Sequence, residues 1–203
     1  MWVLLSMIKR GGEIYILFSD VTIHNLLKNR QVMFDTAKIL EKAKKSSFYR
    51  GLLNFMLDRM IPFNKPHGFK VIEIGDYHLR TRIPYRKSNF NHIKGLHACA
   101  LATISEFTTG FLLITKLDSK KYRLIMQKLE MNYHYQGKMD AYAEFRISEN
   151  WLHDQIYTPL EVKDAIVVIC EVRITDANGN HLTTGFVHWQ IKDWLKVKTK
   201  VAA

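Results

Sequence analysis

One carboxylate stands inside the most apolar stretch of the chain. In "NFNHIKGLHACALATISEFTTGFLLI" (89–114) Glu106 is the sole acidic residue, and Asn91, His97 and Cys99 precede it. The spacing predicts a helix over about 97–115. At 100° per residue, Glu106 shares a face with Cys99, Ala102, Thr103, Gly110 and Leu113, most of them small. Such a face lets a ligand or another backbone come close, and a carboxylate on it loses water. Desolvation raises a carboxyl pKa and poises it as a general base near neutral pH. The plainer role for Glu106 is an ion pair with an arginine or simple hydration. His97 reads either as a turn or cap residue or as an acid–base group. Cys99 reads as a small buried residue or as a nucleophile at a helix start.

These side chains need a scaffold. A second stripe of the same helix, Ala100, Ile104, Phe107, Phe111 and Ile114, is expected to lie against a sheet. Strand patterns flank it on both sides. In "FKVIEIGDYHLRTRIPYR" (69–86) two short strands meet at Gly75-Asp76. Leu79, Thr81, Ile83 and Tyr85 form one face of the second strand, and His78, Arg80, Arg82 and Arg86 the other. After the helix come "YRLIMQKLEMNYHY" and "MDAYAEFRIS", joined at Gln136-Gly137-Lys138. Residues 149–163 read as irregular, and "AIVVICEVRIT" and "HLTTGFVHWQI" flank an Asn178-Gly179 hairpin signal. The economical arrangement is an α+β fold, a mostly antiparallel sheet curled around the one long apolar helix.

A chain of 203 residues with 47% hydrophobic content can bury a substantial core. Its formal net charge of +11 favours anionic partners such as a phosphate-bearing ligand. Nucleic acid is disfavoured, because charge stands without basic–aromatic interleaving or a recognisable module. His92 and His97 lack the four-residue spacing of one helical face, and the two cysteines, Cys99 and Cys170, form no CxxC, so neither a metal nor a cofactor is expected. Residues 33–60 read as two helical pieces broken near Ser46 and Ser47. Residues 1–32 read as a dispensable leader, with two apolar snippets too short for a membrane span and Met33 as an alternative start. The expected division is a leader and helical extension over 1–60 and a single domain over 61–203, in a cytoplasmic protein without stable membrane insertion.

The run Asn91, Gly95, His97 and Glu106, in "NHIKGLHACALATISEFTTG", resembles the hotdog-fold thioesterases of the phenylacetate-pathway type, over roughly residues 60–192. The resemblance implies a hotdog fold and cleavage of an acyl thioester, with acyl-CoA as the expected partner. Glu106 would be the base or nucleophile. The amides around His97, Ala98 and Cys99 would polarise the thioester carbonyl, and Asn91 would orient water or the carbonyl. Gly95, Ala98, Cys99 and Thr103 would line the substrate site, and Arg80 and Arg82 would hold coenzyme A phosphates. The site would be shared across a homodimer, alone or within a dimer of dimers. Ala98 and Cys99 stand where the enzymes carry paired glycines. That departure favours a second reading, a non-catalytic hotdog module that holds acyl-CoA or an acyl chain intact.

Overall fold

The computed structural model describes residues 4–10, 13–19 and 36–197. The chain divides into two compact units, Met1–Leu53 and Asn54–Ala203. In the first unit, β1 (Leu4–Arg10) and β2 (Glu13–Ser19) form an antiparallel hairpin with Met7 opposite Ile16. The two apolar snippets are therefore paired strands. The rest of the expected leader, and the alternative start Met33, lie outside the described residues. Helix α1 (Thr36–Lys45) and the first turns of α2 (Ser47–Met60) meet at Ser46. The Arg50 guanidinium donates to the Ala43 carbonyl (3.1 Å) and the Lys42 ammonium sits 4.9 Å from the Tyr49 ring centre, fixing the bend.

The second unit is built on six antiparallel strands. They are β3 (Lys70–Ile74), β4 (His78–Ile83), β5 (Tyr122–Tyr133), β6 (Ala141–Arg146), β7 (Ala165–Asp176) and β8 (His181–Asp193), in the order β3-β4-β6-β7-β8-β5. Alternation decides the faces. Leu79, Thr81 and Ile83 of β4 and Ala141, Ala143 and Phe145 of β6 are buried, whereas Arg80, Arg82, Tyr142 and Glu144 point to the other side. The β3 edge is covered by a side chain acting as a strand: the Asn54 amide exchanges two hydrogen bonds with the Val71 backbone (2.9 and 2.7 Å). Asp58 and Lys70 add an ion pair at 2.6 Å beside it.

Helix α3 (Ala98–Lys116) packs against β4, β5, β6, β7 and β8, so the sheet wraps it. By length and composition this helix is able to cross a membrane, yet ten of its residues are buried in the fold, which makes it the core helix. Its covered face keeps Ala100, Ile104 and Phe107 of the expected stripe and departs from it at Phe111 and Ile114. Leu101, Ile104, Ser105, Thr108 and Leu112 face inward, while Ile114 is 52% exposed and Phe111 is only half-buried. The hydroxyls explain the difference. Ser105 and Thr108 donate to the carbonyls of Leu101 and Ile104 (2.9 and 2.6 Å), and the Thr81 and Thr108 hydroxyls bond each other at 2.6 Å. With their polar atoms satisfied these short side chains are buried without penalty, and they admit the sheet more closely than phenylalanine would. Gly110 and Leu113 are also covered: a Cβ at Gly110 would stand 2.5 Å from the Trp189 ring, whose N–H donates to Thr109 Oγ1 (3.0 Å).

Two further features depart from the sequence pattern. Strands β5 and β6 are consecutive but unpaired, because their connector crosses the end of the β7–β8 hairpin through His134 N–H to Leu182 O (2.8 Å) and Ala177 N–H to Asp140 O (3.1 Å). Residues 149–162, expected to be irregular, form α4 (Glu149–Leu152), a π-helical turn (His153–Tyr157) and α5 (Thr158–Val162). Ser148 caps this segment by accepting from the Trp151 N–H (3.0 Å), and Leu152 and Ile156 supply its buried side.

Candidate functional site

The loop before α3 is closed on itself. Asn91 Oδ1 accepts from the Ile93 and Gly95 amides (3.1 and 2.8 Å), and the Asn91 N–H returns to Gly95 O (2.8 Å). The left-handed residue of this turn is Lys94 (φ 58°), while a Cβ at Gly95 would stand 2.8 Å from the Gln136 side chain and displace it. Gln136 also borders a cavity of ≈ 320 Å³ with Lys138 and Asp176 on its wall. The Asn91 side-chain oxygen is thus held by the turn. Its amide nitrogen has no protein partner among the described residues.

At the helix start, the His97 N–H donates to Asn89 O (2.8 Å), and Asn89 itself is buried, bonded to His67 and to Pro84 O. The Cys99 N–H donates to His97 Nδ1 (3.1 Å), so His97 is the N-cap of α3 and its other ring nitrogen carries the proton. Of the three amides expected to meet a carbonyl, those of His97 and Cys99 are therefore engaged. The Ala98 N–H alone has no acceptor among the described residues. Ala98 and Cys99 are exposed; Thr103 donates its hydroxyl back to Cys99 O (2.8 Å).

Glu106 is half-buried, with no side-chain partner among the described residues, and burial holds its carboxyl above the usual carboxylate range. No arginine among the described residues reaches it. Eight residues of helix separate it from Ala98, an axial rise of about 12 Å. One chain's open amide and the same chain's Glu106 do not meet on a single carbonyl.

Arg80 and Arg82 lie elsewhere, on the outward face of β4. Arg80 pairs with Glu73 (3.0 Å) and Glu144 (4.0 Å) and stacks on Tyr142, and Arg82 pairs with Asp140 (3.6 Å). Carboxylates of this chain already face both guanidinium groups. Sequence reasoning passed over Tyr133, whose hydroxyl donates to Ala98 O (3.0 Å). As the last residue of β5 it reaches α3 only because β5 pairs with β8, a long-range fact with no local signature.

Residues 50–194 match the protein family described as a domain of unknown function (DUF4442). The chain belongs to that family. No curated protein matches its sequence. Among solved structures, this DUF4442 member is similar to PA5026 of Pseudomonas aeruginosa, a protein of unknown function named as a probable thioesterase. That match has 22% identity and a TM-score of 0.65 and covers 70% of this chain and 95% of that one. It is also similar to thioesterase HI1161 of Haemophilus influenzae (9% identity, TM-score 0.58, 76% and 98% covered). A variant of thioesterase PA1618 from Pseudomonas aeruginosa matches at 11% identity and a TM-score of 0.57 (73% and 97% covered). At these identities the shared property is the fold. The DUF4442 chain has a hotdog fold, an antiparallel sheet wrapped around a central helix, as these structures do.

Proposed function

We propose that this protein hydrolyses an acyl thioester, with Glu106 as the group that activates water. The observation that carries the reading is the unpaired carboxylate on a small-residue face, desolvated enough to hold its pKa up, within a thioesterase-type fold. Glu106 takes a proton from water, the hydroxide adds to the thioester carbonyl, and the C–S bond breaks as the thiolate leaves and takes up the proton. Direct attack by the carboxylate, giving an anhydride that water then opens, uses the same residue. The Ala98 N–H, at the positive end of α3, stabilises the oxyanion, and the Asn91 amide nitrogen orients the water or the carbonyl.

The separation of about 12 Å between Ala98 and Glu106 along one helix supports a homodimer in which one protomer supplies the amide and its partner the carboxylate. A net charge of +11 suits an anionic carrier such as coenzyme A or an acyl carrier protein. The exposed, unpaired Cys99 suits the reducing cytoplasm, where such thioesters occur.

A second reading, a module that binds acyl-CoA without cleaving it, is favoured by one observation: the Cys99 amide is occupied by His97, which leaves a single donor for the oxyanion. Hydrolysis of a panel of acyl-CoA thioesters by wild type and Glu106→Ala separates the readings. Turnover that Glu106→Ala abolishes supports the hydrolase; equal rates in both remove Glu106 from the chemistry; tight binding with the thioester recovered intact establishes the module.

A further inference from the structure

The peptide between Ala98 and Cys99 is held at both polar ends. Its carbonyl accepts from the Tyr133 hydroxyl (3.0 Å), and its N–H donates to His97 Nδ1 (3.1 Å). Helix carbonyls in a first turn already accept from the amide four residues on, so the Tyr133 bond is an addition to the helix rather than part of it. The two arms have separate rigid mounts. Tyr133 closes β5 opposite Thr183 of β8, and the buried Thr183 hydroxyl donates to the neighbouring Asn132 carbonyl (2.7 Å). His97 is tied through its own N–H to Asn89, whose side chain is buried and bonded on both sides. The clamp therefore joins the far edge of the sheet to the loop before α3.

We infer that Tyr133 is a positioning residue: together with His97 it locks the first turn of α3 so that the adjacent Ala98 N–H points in one fixed direction toward an anionic oxygen. The inference rests on the thioester-hydrolase reading of this site. Helix first turns fray, and Ala98, Cys99 and Tyr133 are all exposed, so the clamp adds little to global stability. It adds orientation, to which catalysis is far more sensitive. Burial, and then the nearby Cys99 thiol, push the Tyr133 hydroxyl upward in pKa, which keeps it protonated and a donor throughout the neutral range.

Tyr133→Phe keeps the ring and removes only the donor. Three measurements on this variant and the wild type decide the matter: amide hydrogen exchange at Cys99, kcat and KM for an acyl-CoA thioester, and the unfolding midpoint. The expected result is exchange at the Cys99 amide at least about 10-fold faster, kcat lower by about 10-fold at unchanged KM, and a midpoint close to that of wild type. Unchanged exchange overturns the clamp whatever happens to activity. Faster exchange with unchanged kcat overturns the positioning role and leaves the hydrolase reading standing. A wild-type protein that turns over no thioester in the panel defeats the hydrolase reading, and with it the catalytic purpose assigned to Tyr133, even where the exchange data uphold the clamp itself.

Discussion

The two halves of α3 share one helix and have opposite surroundings. From Phe107 to Leu113 the sheet covers nearly every position, with Thr108, Thr109, Leu112 and Leu113 fully buried and Trp189 lying on Gly110. From Ala98 to Glu106 one side stays open: Ala98 and Cys99 are exposed, and Ala102, Thr103 and Glu106 are half-buried. In the covered half the polar atoms turn inward onto their own helix or onto Trp189. In the open half an amide and a carboxylate are left without protein partners among the described residues. The first half is where the fold is stable, and the second is where it has unused chemistry.

The largest expected effect falls on the open half. Glu106→Gln lowers kcat for thioester hydrolysis by about 10²–10⁴-fold, read from steady-state rates, because the base is lost while size and hydrogen bonding are kept. The same change raises the unfolding midpoint at pH 7. Burial raises the folded-state pKa of this acid, so the ionised form is disfavoured in the fold and stability falls as pH climbs from the unfolded carboxyl range to the raised value. Glutamine removes that loss. The acid limb of the wild-type rate profile then lies above the ordinary glutamate range, and a limb at the ordinary value breaks the link between burial and base strength.

Gly110→Ala tests the covered half. The new methyl would meet the Trp189 ring at 2.5 Å, and the displacement costs about 1–3 kcal/mol, seen as a lower midpoint in thermal or urea unfolding. An unchanged midpoint would show that Trp189 is loosely seated. Trp189→Phe keeps most of the apolar contact and removes the N–H to Thr109, a loss of about 1 kcal/mol in the same assay.

The smallest effect contrasts the two thiols. Cys170, buried in β7, has its thiol pushed up to about 12 by desolvation, whereas Cys99 is exposed at the open helix start. Alkylation at neutral pH labels Cys99 and spares Cys170 until the protein unfolds, and Cys99→Ser shifts stability by no more than about 0.5 kcal/mol. Labelling of both at equal rates would erase the difference between the halves.

Much of this was readable beforehand, for local reasons. Alternation in "HLRTRI" and "AYAEFR" assigns faces to β4 and β6 without reference to anything distant, and Asn178-Gly179 marks the β7–β8 turn. Glu106 stands out because it is alone in its surroundings. Periodicity places Ala100, Ile104 and Phe107 of α3 inward, and fails at Phe111 and Ile114 because hydrophobicity ranks these above Ser105 and Thr108. Only the match of short hydroxyl side chains to β4 and β8 reverses that order.

Sequence by itself determined the element types from β3 to β6 and of β7 and β8, the wrapping of a sheet around its one apolar helix, and the isolation of Glu106, since each follows from periodicity or composition within a short window. Tertiary structure alone decided that β5 pairs with β8 rather than β6, that Arg80 and Arg82 face carboxylates, and that Tyr133 and His97 grip one peptide from two sides. Apart from the short-range Arg80–Glu73 and His97–Cys99 bonds, those are contacts between residues dozens of positions apart. Their free energy exists only once the chain has closed, so no local pattern records them.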